Sequence, residues 1–509
     1  MSRLKKALFI AGAVLCALAI LSLFLPISRE KLDPGPVISL RLLDRNGVLL
    51  REVLSDEGGR CRWVGLPDIP PHLVQATIAA EDKSFYFHRG VNPVSVVRAF
   101  WQNVKHGRVV SGASTITQQL VRSIYPARRN LLSKLREIWL ASRLERTISK
   151  EEILTQYLNR ISYANQAYGI EAASRLYFAK PASHLSLAEA AFLAAIPRSP
   201  SLLNPYRSFA VVEAKQKEIL RRMVRLNFIF PAEMERARVE KIRLMPAGET
   251  FRAPHFCDFV LSRMPEEKKR ALAAVWTTLD YGLQEKIELL AKQYLASLAD
   301  RGISNCALIV LDNATGELLS LLGSKNFFDA ANDGQVNGAL ALRQPGSTLK
   351  PFTYALALEN GLTAAAIVED TPAQFATLSG NYMPRNYDHK YHGPISLRTA
   401  LACSYNVPAV AVLESIGPDL LYRKLKLLGF ESLRESPGYY GIGLTLGNGE
   451  VTLLELSRAY SVLAGRASTF RSRLCSTPAR TEARIFRPAA GLPDDPFFLL
   501  RSPSSSPTF

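Results

Sequence analysis

The 509-residue chain has no Cys-x-x-Cys pair; its six cysteines, Cys16, Cys61, Cys257, Cys306, Cys403 and Cys475, are scattered. That spacing excludes zinc ribbons and thioredoxin-type redox motifs and argues against a disulfide framework. Cys16 follows Leu15 rather than a small residue, which argues against lipoprotein processing. No internal repeat is present, so repeat architectures are set aside. Negative charge is in deficit, with 45 acidic against 63 basic residues and a formal net charge of +18. Such an excess favours anionic partners: nucleic acid, phospholipid headgroups or a phosphorylated substrate. Hydrophobic residues at 48% and charged residues at 21% are ordinary for folded protein. A chain of this length holds about two to four domains.

The clearest physical signal lies at the start. Arg3, Lys5 and Lys6 precede an uncharged run, Ala7 to Leu25, closed by Pro26. As a helix rising 1.5 Å per residue the run spans roughly 28 Å, one hydrocarbon core. Residues 1–6 are thus expected as a cytoplasmic tail, 7–25 as a single transmembrane anchor, and the remainder as exported. A cleavable signal peptide is the rival reading, but its apolar core is shorter and no small-x-small site follows Leu25.

Within a strand-rich connector expected over 26–59, residues 36–55 alternate in strand fashion around the turn Asp44-Arg45-Asn46-Gly47. From about Pro70 to Arg225 the period becomes helical. Ser149-Lys150-Glu151-Glu152 and Ser186-Leu187-Ala188-Glu189 read as capping boxes, and the helix opened by Ser186 runs toward Pro197. A charged linker is expected over 226–300. Cys306 to Leu311, a turn at Asp312–Gly316, and Glu317 to Leu322 form a hairpin. Residues 301–464 make a second domain, and 465–509, ending Arg501-Ser502-Pro503-Ser504, read as a divergent, disordered tail.

Glu81-Asp82-Lys83-Ser84-Phe85-Tyr86-Phe87-His88-Arg89-Gly90 sets an acid pair beside aromatics and a histidine. Alone it reads as a helix N-terminus with a solvated acid. Gly112-Ala113-Ser114-Thr115-Ile116-Thr117-Gln118-Gln119 alone reads as a capped polar helix start. Lys134-Leu135-Arg136-Glu137 alone reads as an i,i+3 surface ion pair. In this order, with Lys150 to Asn159 and Gly169 to Pro197, these segments resemble the peptidoglycan glycosyltransferase domain of class A penicillin-binding proteins over residues 60–225. The resemblance implies a mainly α, lysozyme-like domain. It assigns Glu81 as the base for the acceptor sugar's 4-hydroxyl and Glu137 as the helper at the donor diphosphate, directly or through Mg2+ or another divalent cation. Arg122, Lys134 and Arg143 supply positive charge; Asp82, Phe85, His88, Thr115, Gln118 and Gln119 complete substrate binding. Ser133 stands where the family carries a basic residue, removing one phosphate contact.

Arg343-Gln344-Pro345-Gly346-Ser347-Thr348-Leu349-Lys350 contains Ser-x-x-Lys, which places Ser347 and Lys350 on one helical face. A lysine with a lowered pKa can take the serine proton. Ser404-Tyr405-Asn406 supplies Ser-x-Asn. Seen singly, Ser404 is a helix cap and Asn406 a turn residue. Together they resemble the α+β serine acyltransferase fold of penicillin-binding proteins and β-lactamases. The resemblance makes Ser347 the nucleophile and β-lactam target, Lys350 its base, Ser404 a proton relay and Asn406 an amide anchor. The third family element, Lys-Thr-Gly or Lys-Ser-Gly, occurs nowhere in the sequence. Family-like text continues through Gly441–Gly447 and Leu453–Tyr460 and fades near Ala464. A frameshift or premature stop is expected to have removed that strand and with it transpeptidation.

The segments 107–112 and 344–351 look nearest the 1C type of that family. The implied partners are lipid II, the growing glycan strand, the membrane and other cell-wall synthases, with no nucleic acid. The implied location is the inner membrane, single-pass, with both catalytic units periplasmic. A glycan-cleaving enzyme and a non-catalytic penicillin-binding scaffold are the alternatives. A lone serine β-lactamase or peptidase is disfavoured by the preceding enzyme-like domain.

Overall fold

A computed structural model of the chain describes residues 26–33, 37–55, 58–106, 114–128, 130–246, 251–377, 380–465 and 498–499. The expected anchor at 7–25 and segment 107–112 lie outside these residues, as does most of 465–509. Among the described residues no helix is long and apolar enough to cross a membrane. The chain divides into two compact units. One holds Met1–Arg41, Glu52–Thr250 and Pro265–Ala274; the other holds Leu42–Arg51, Phe251–Met264 and Val275–Phe509. The stretch read as a linker is thereby shared between both.

The first unit is mainly helical: α1 (Pro71–Glu81), α2 (Pro93–His106), α3 (Ile116–Ile124), α4 (Leu131–Thr147), α5 (Lys150–Arg160), α6 (Ile170–Phe178), α7 (Leu187–Ala194), α8 (Phe209–Arg225) and α9 (Pro231–Val239). Local chemistry sets the starts. Pro71 opens α1 with its φ already helical. Thr115 and Gln118 form a reciprocal capping box on α3, and Ser186 and Glu189 do so on α7. Ser149 accepts from the Glu152 amide and caps α5 without the return bond. α1 packs on α7 and α8, and α3 on α4 and α5, around Leu73, Leu120, Leu154, Tyr157, Tyr163 and Phe192.

A tight crossing fixes the loop after α1. Gly90 has φ +88°, and a Cβ there would lie 2.6 Å from the Ala141 carbonyl oxygen of α4. Its own carbonyl accepts from Thr115 Oγ1 at 2.6 Å, joining the loop to the start of α3.

The second unit carries the hairpin around Asp44–Val48, where the Asp44 amide donates to the Val48 carbonyl at 2.9 Å. It also carries the expected second hairpin, Leu308–Leu311 antiparallel to Leu318–Leu322. Helices α10 (Pro254–Arg263) and α11 (Tyr281–Ser297) pack on the second strand of that hairpin. α12 (Lys350–Glu359), α13 (Leu397–Ala402), α14 (Asn406–Ile416) and α15 (Pro418–Leu427) follow. α16 (Leu453–Ala464) closes onto the hairpin's first strand. An antiparallel pair, Ile367–Asp370 with Gly393–Ser396, borders α14. Within the expected tail, Phe498 and Leu499 are strand rather than coil and pair with Thr277 and Trp276. Of the six cysteines, Cys61, Cys257, Cys306 and Cys403 are described, and no disulfide joins any of them among the described residues.

Gly90→Ala combines a left-handed backbone with a backbone clash, so it should destabilise the first unit by about 2 kcal/mol or more. Circular dichroism melting reads this as a lowered Tm; an unchanged Tm would show that the loop can move away from α4.

Candidate active site

Glu81 ends α1, at its C-terminus rather than at a helix start, and it is half-buried rather than solvated. Its Oε2 accepts from Gln119 Nε2 at 2.6 Å. Its Oε1 is buried with no hydrogen-bond partner. Burial above all pushes the Glu81 carboxyl upward, against the pull of the Gln119 hydrogen bond and of Arg198. A half-satisfied carboxylate of this kind is a proton acceptor waiting for a donor.

One helical turn along α3 from Gln119 stands Arg122. Its Nε and Nη2 donate to Glu137 at 3.1 and 3.2 Å, and Lys134 Nζ bonds the same carboxylate. The pair read as a surface feature is therefore a three-residue cluster. Glu137 keeps only 10% of its side chain exposed, whereas Arg122 keeps 45% and Lys134 39%, so the cations present open faces to an incoming anion. They border a cavity of about 500 Å³ that Arg128, Arg136, Ser114 and Ser133 also line. Ser114 Oγ accepts from Lys134 Nζ at 3.0 Å. Arg143, expected here, instead stacks 4.5 Å from the Trp139 ring and donates to the Pro26 carbonyl at 2.9 Å.

The other expected substrate ligands form the frame. Asp82 Oδ2 accepts from the Ile116 amide at 3.2 Å and pairs with His88 Nε2 at 2.8 Å. Thr115 and Gln118 are buried and spend their side chains on the α3 cap. Phe85 is fully buried, edge-on to His88, with Lys150 Nζ 4.2 Å above its ring. Lys150 is itself held by Glu145 and by the His88 carbonyl, both at 2.8 Å. These side chains are closed off by packing, which leaves Gln119, Arg122 and Lys134 beside the two carboxylates. Glu81 and Glu137 line different cavities, and α3 reaches both, through Gln119 and Arg122.

The donor set at Glu137 does not fit a divalent cation. Both of its oxygens face cations, and no group of three or more Asp, Glu, His or Cys side chains able to hold a metal exists among the described residues.

In the second unit Ser347 lies not on a helix face but in a 3-10 turn, Gly346–Leu349, immediately before α12. It is exposed, while Lys350 is buried. Lys350 Nζ donates to the Ser404 carbonyl at 2.5 Å, to Ser404 Oγ at 3.1 Å and to Asn406 Oδ1 at 2.7 Å. Burial lowers its pKa to about 8. Ser404 holds φ +54°, and Asn406 is the first residue of α14 rather than a turn residue. Asn386 Oδ1 accepts from the Asn406 amide at 2.8 Å, and the buried Asp370 accepts from Asn386 Nδ2 at 2.8 and 2.9 Å.

Two family models match, Transglycosylase over residues 46–224 and Penicillin binding protein transpeptidase domain over 306–469. Penicillin-binding protein 2D of Bacillus subtilis (strain 168) is 33% identical over 91% of this chain and 68% of its own length. The chain belongs to the class A penicillin-binding proteins.

Penicillin-binding protein 1C of Escherichia coli (strain K12) is 37% identical over 82% of this chain, which spans only 53% of that relative. A crystal structure of penicillin-binding protein 1A from Haemophilus influenzae superposes with a TM-score of 0.51 at 22% identity, over 84% of this chain and 68% of that one, and shows a shared fold. Several residues at these sites carried no local signal. Arg128 looks like an ordinary surface charge, Asp370 ends the strand Ile367–Asp370, and Asn386 lies in a loop. Gly447 closes the Gly441–Gly447 segment, and its packing emerges only in three dimensions: a Cβ there would come 2.2 Å from the Gly346 nitrogen, in the Gly346–Leu349 turn.

Lys350 should be charged below about pH 8 and neutral above it. An unfolded lysine titrates near 10.4, so between these values the unfolded chain binds more protons and stability rises with pH. An NMR titration of [13Cε]lysine-labelled protein should show a midpoint near 8 that disappears in Lys350→Met. A midpoint above 10 for every lysine would contradict the desolvation.

Proposed function

We propose that the first unit is a peptidoglycan glycosyltransferase that polymerises lipid II into glycan strands. The observation that carries this reading is the contrast between its two carboxylates. Glu81 is desolvated and short of a hydrogen-bond donor, while Glu137 is locked between two cations. The acceptor's 4-hydroxyl would supply the missing donor to Glu81. As the hydroxyl oxygen attacks the donor sugar's C1, its proton passes to Glu81 and the C1–O bond to the diphosphate breaks. Negative charge grows on that leaving group, and Arg122 and Lys134, with Arg128 and Arg136 behind them, face it at fixed positions. Glu137 keeps the two nearest cations from folding back onto solvent.

The apolar run at 7–25 supports a single membrane anchor that keeps both units on the periplasmic face of the inner membrane, near a lipid-linked substrate. The reading of 60–225 as the glycosyltransferase and of 301–464 as the acyltransferase part follows the same motifs.

For the second unit, the contacts of Lys350 with Ser404 and Asn406 support a serine nucleophile at Ser347 with Lys350 as base. This chain contains no Lys-Thr-Gly or Lys-Ser-Gly to dock the substrate carboxylate. Transpeptidation by this 509-residue chain is therefore proposed to be absent or very weak.

Glu81→Gln should abolish chain growth on lipid-linked disaccharide-pentapeptide, by about 10² to 10⁴-fold in rate. A carboxylate whose pKa is raised by folding stabilises the fold only at low pH and opposes it once ionised, so the same variant should melt higher than the parent at pH 7. Surviving polymerisation would remove Glu81 from the chemistry. Short fragments released from finished glycan, without chain growth, would assign the cleaving reaction instead.

Fluorescent penicillin should leave no stable label on Ser347 while lipid II is still polymerised. A label present on the parent and lost in Ser347→Ala would show that the acylation site works without its third element.

A further inference from the structure

Glu81 lines a second cavity of about 20 Å³, room for roughly one water. Its wall comes from Ala80 and Glu81 at the end of α1, Ala194 and Ala195 at the end of α7, Arg198 beyond, and Lys215, Glu218, Ile219 and Arg222 on α8. Two of these cations are already committed. Lys215 pairs with Glu218 at 2.8 Å, Arg222 pairs with the same carboxylate, and Arg222 also donates to the Ala80 carbonyl at 3.3 Å. Lys215 first, then Arg222, hold the Glu218 carboxyl down to about 2, so it remains their counter-ion. Arg198 differs. It follows Pro197, past the end of α7, is exposed, and has no ion pair or hydrogen bond of its own among the described residues.

We propose that Arg198 is a positioning residue that keeps Glu81 in its charged, proton-accepting form at the working pH of the enzyme. The inference rests on Glu81 being the general base. Desolvation favours the protonated form of Glu81; the Gln119 hydrogen bond opposes this most, and the charge of Arg198 comes next. Asp82 repels it, and its own charge is spent on His88 and the Ile116 amide. Tyr157 from α5 and Tyr163 from the next loop are fully buried, with hydroxyls pushed far up, and stay neutral. Gln119 contributes a neutral hydrogen bond. Of the charges acting on Glu81, that of Arg198 is the largest, ahead of Asp82 and Arg222. Arg198 lies beyond a helix terminus and carries no structural bond, so its charge can be changed without removing a fold contact.

The test is the pH–rate profile of lipid II polymerisation by the full-length chain in parent, Arg198→Lys, Arg198→Ala and Arg198→Glu, with Glu81→Gln beside them. An exposed cation acts through screened water, so its removal should move the acid limb upward by about half to one pH unit. Arg198→Ala then loses about three- to tenfold on the acid side of the profile, and its plateau rate at high pH changes less than about twofold. Arg198→Lys should restore the parent limb and Arg198→Glu should displace it further. A limb that stays in place across the series, with Glu81→Gln inactive, overturns the inference. Chain growth that persists in Glu81→Gln overturns instead the reading of Glu81 on which it stands. A uniform loss at every pH in all three Arg198 variants would make Arg198 a substrate contact and overturn its electrostatic role.

Discussion

Asp82 carries the first site mechanically. Its carboxylate accepts from the Ile116 amide at the open N-terminus of α3 and from His88, so one side chain ties the end of α1 to the beginning of α3. A carboxylate is favoured there because the first amides of a helix lack partners and the helix dipole is positive at that end. With that junction set, helical geometry places Gln119 at Glu81 and, three residues on, Arg122 at Glu137. α3 thus spaces the two carboxylates.

Desolvation then gives them opposite characters. Glu137 is buried beneath two cations and holds them, whereas Glu81 is buried with one oxygen unmatched. A carboxylate that must be basic yet remain ionised needs both influences, burial to raise its proton affinity and positive charge to limit the rise. The same physics with the sign reversed acts on Lys350. Its ammonium is buried among Ser404 and Asn406 without a carboxylate, and its pKa falls to about 8. In each unit burial thus favours the neutral form of an ionisable side chain.

Packing holds both arrangements in place. Gly90 passes α4 where no Cβ fits, and Gly447 does the same beside Gly346. Asn386 Oδ1 caps the first amides of α14, and Asp370 holds the Asn386 side chain in place. None of these touches a reacting atom, yet each limits where a reacting side chain can stand.

The order of motifs, the helical period over 70–225, both hairpins and the capping box at Ser186 were legible in the sequence, because each depends on residues within a few positions of one another. Glu81, Glu137, Ser347, Lys350 and the Ser-x-Asn pair stood out as candidates because the spacing of their motifs is local. Which polar residues face a ligand and which serve the frame was decided only by the tertiary structure. Phe85, Thr115 and Gln118 stand in the same motifs as Gln119 and Arg122, yet packing buries the first three and leaves the latter two beside the carboxylates. Arg198 beside Glu81 and Asp370 behind Asn406 come from distant segments. A charge's effect depends on distance and on the water excluded around it, and neither quantity exists until the chain has folded.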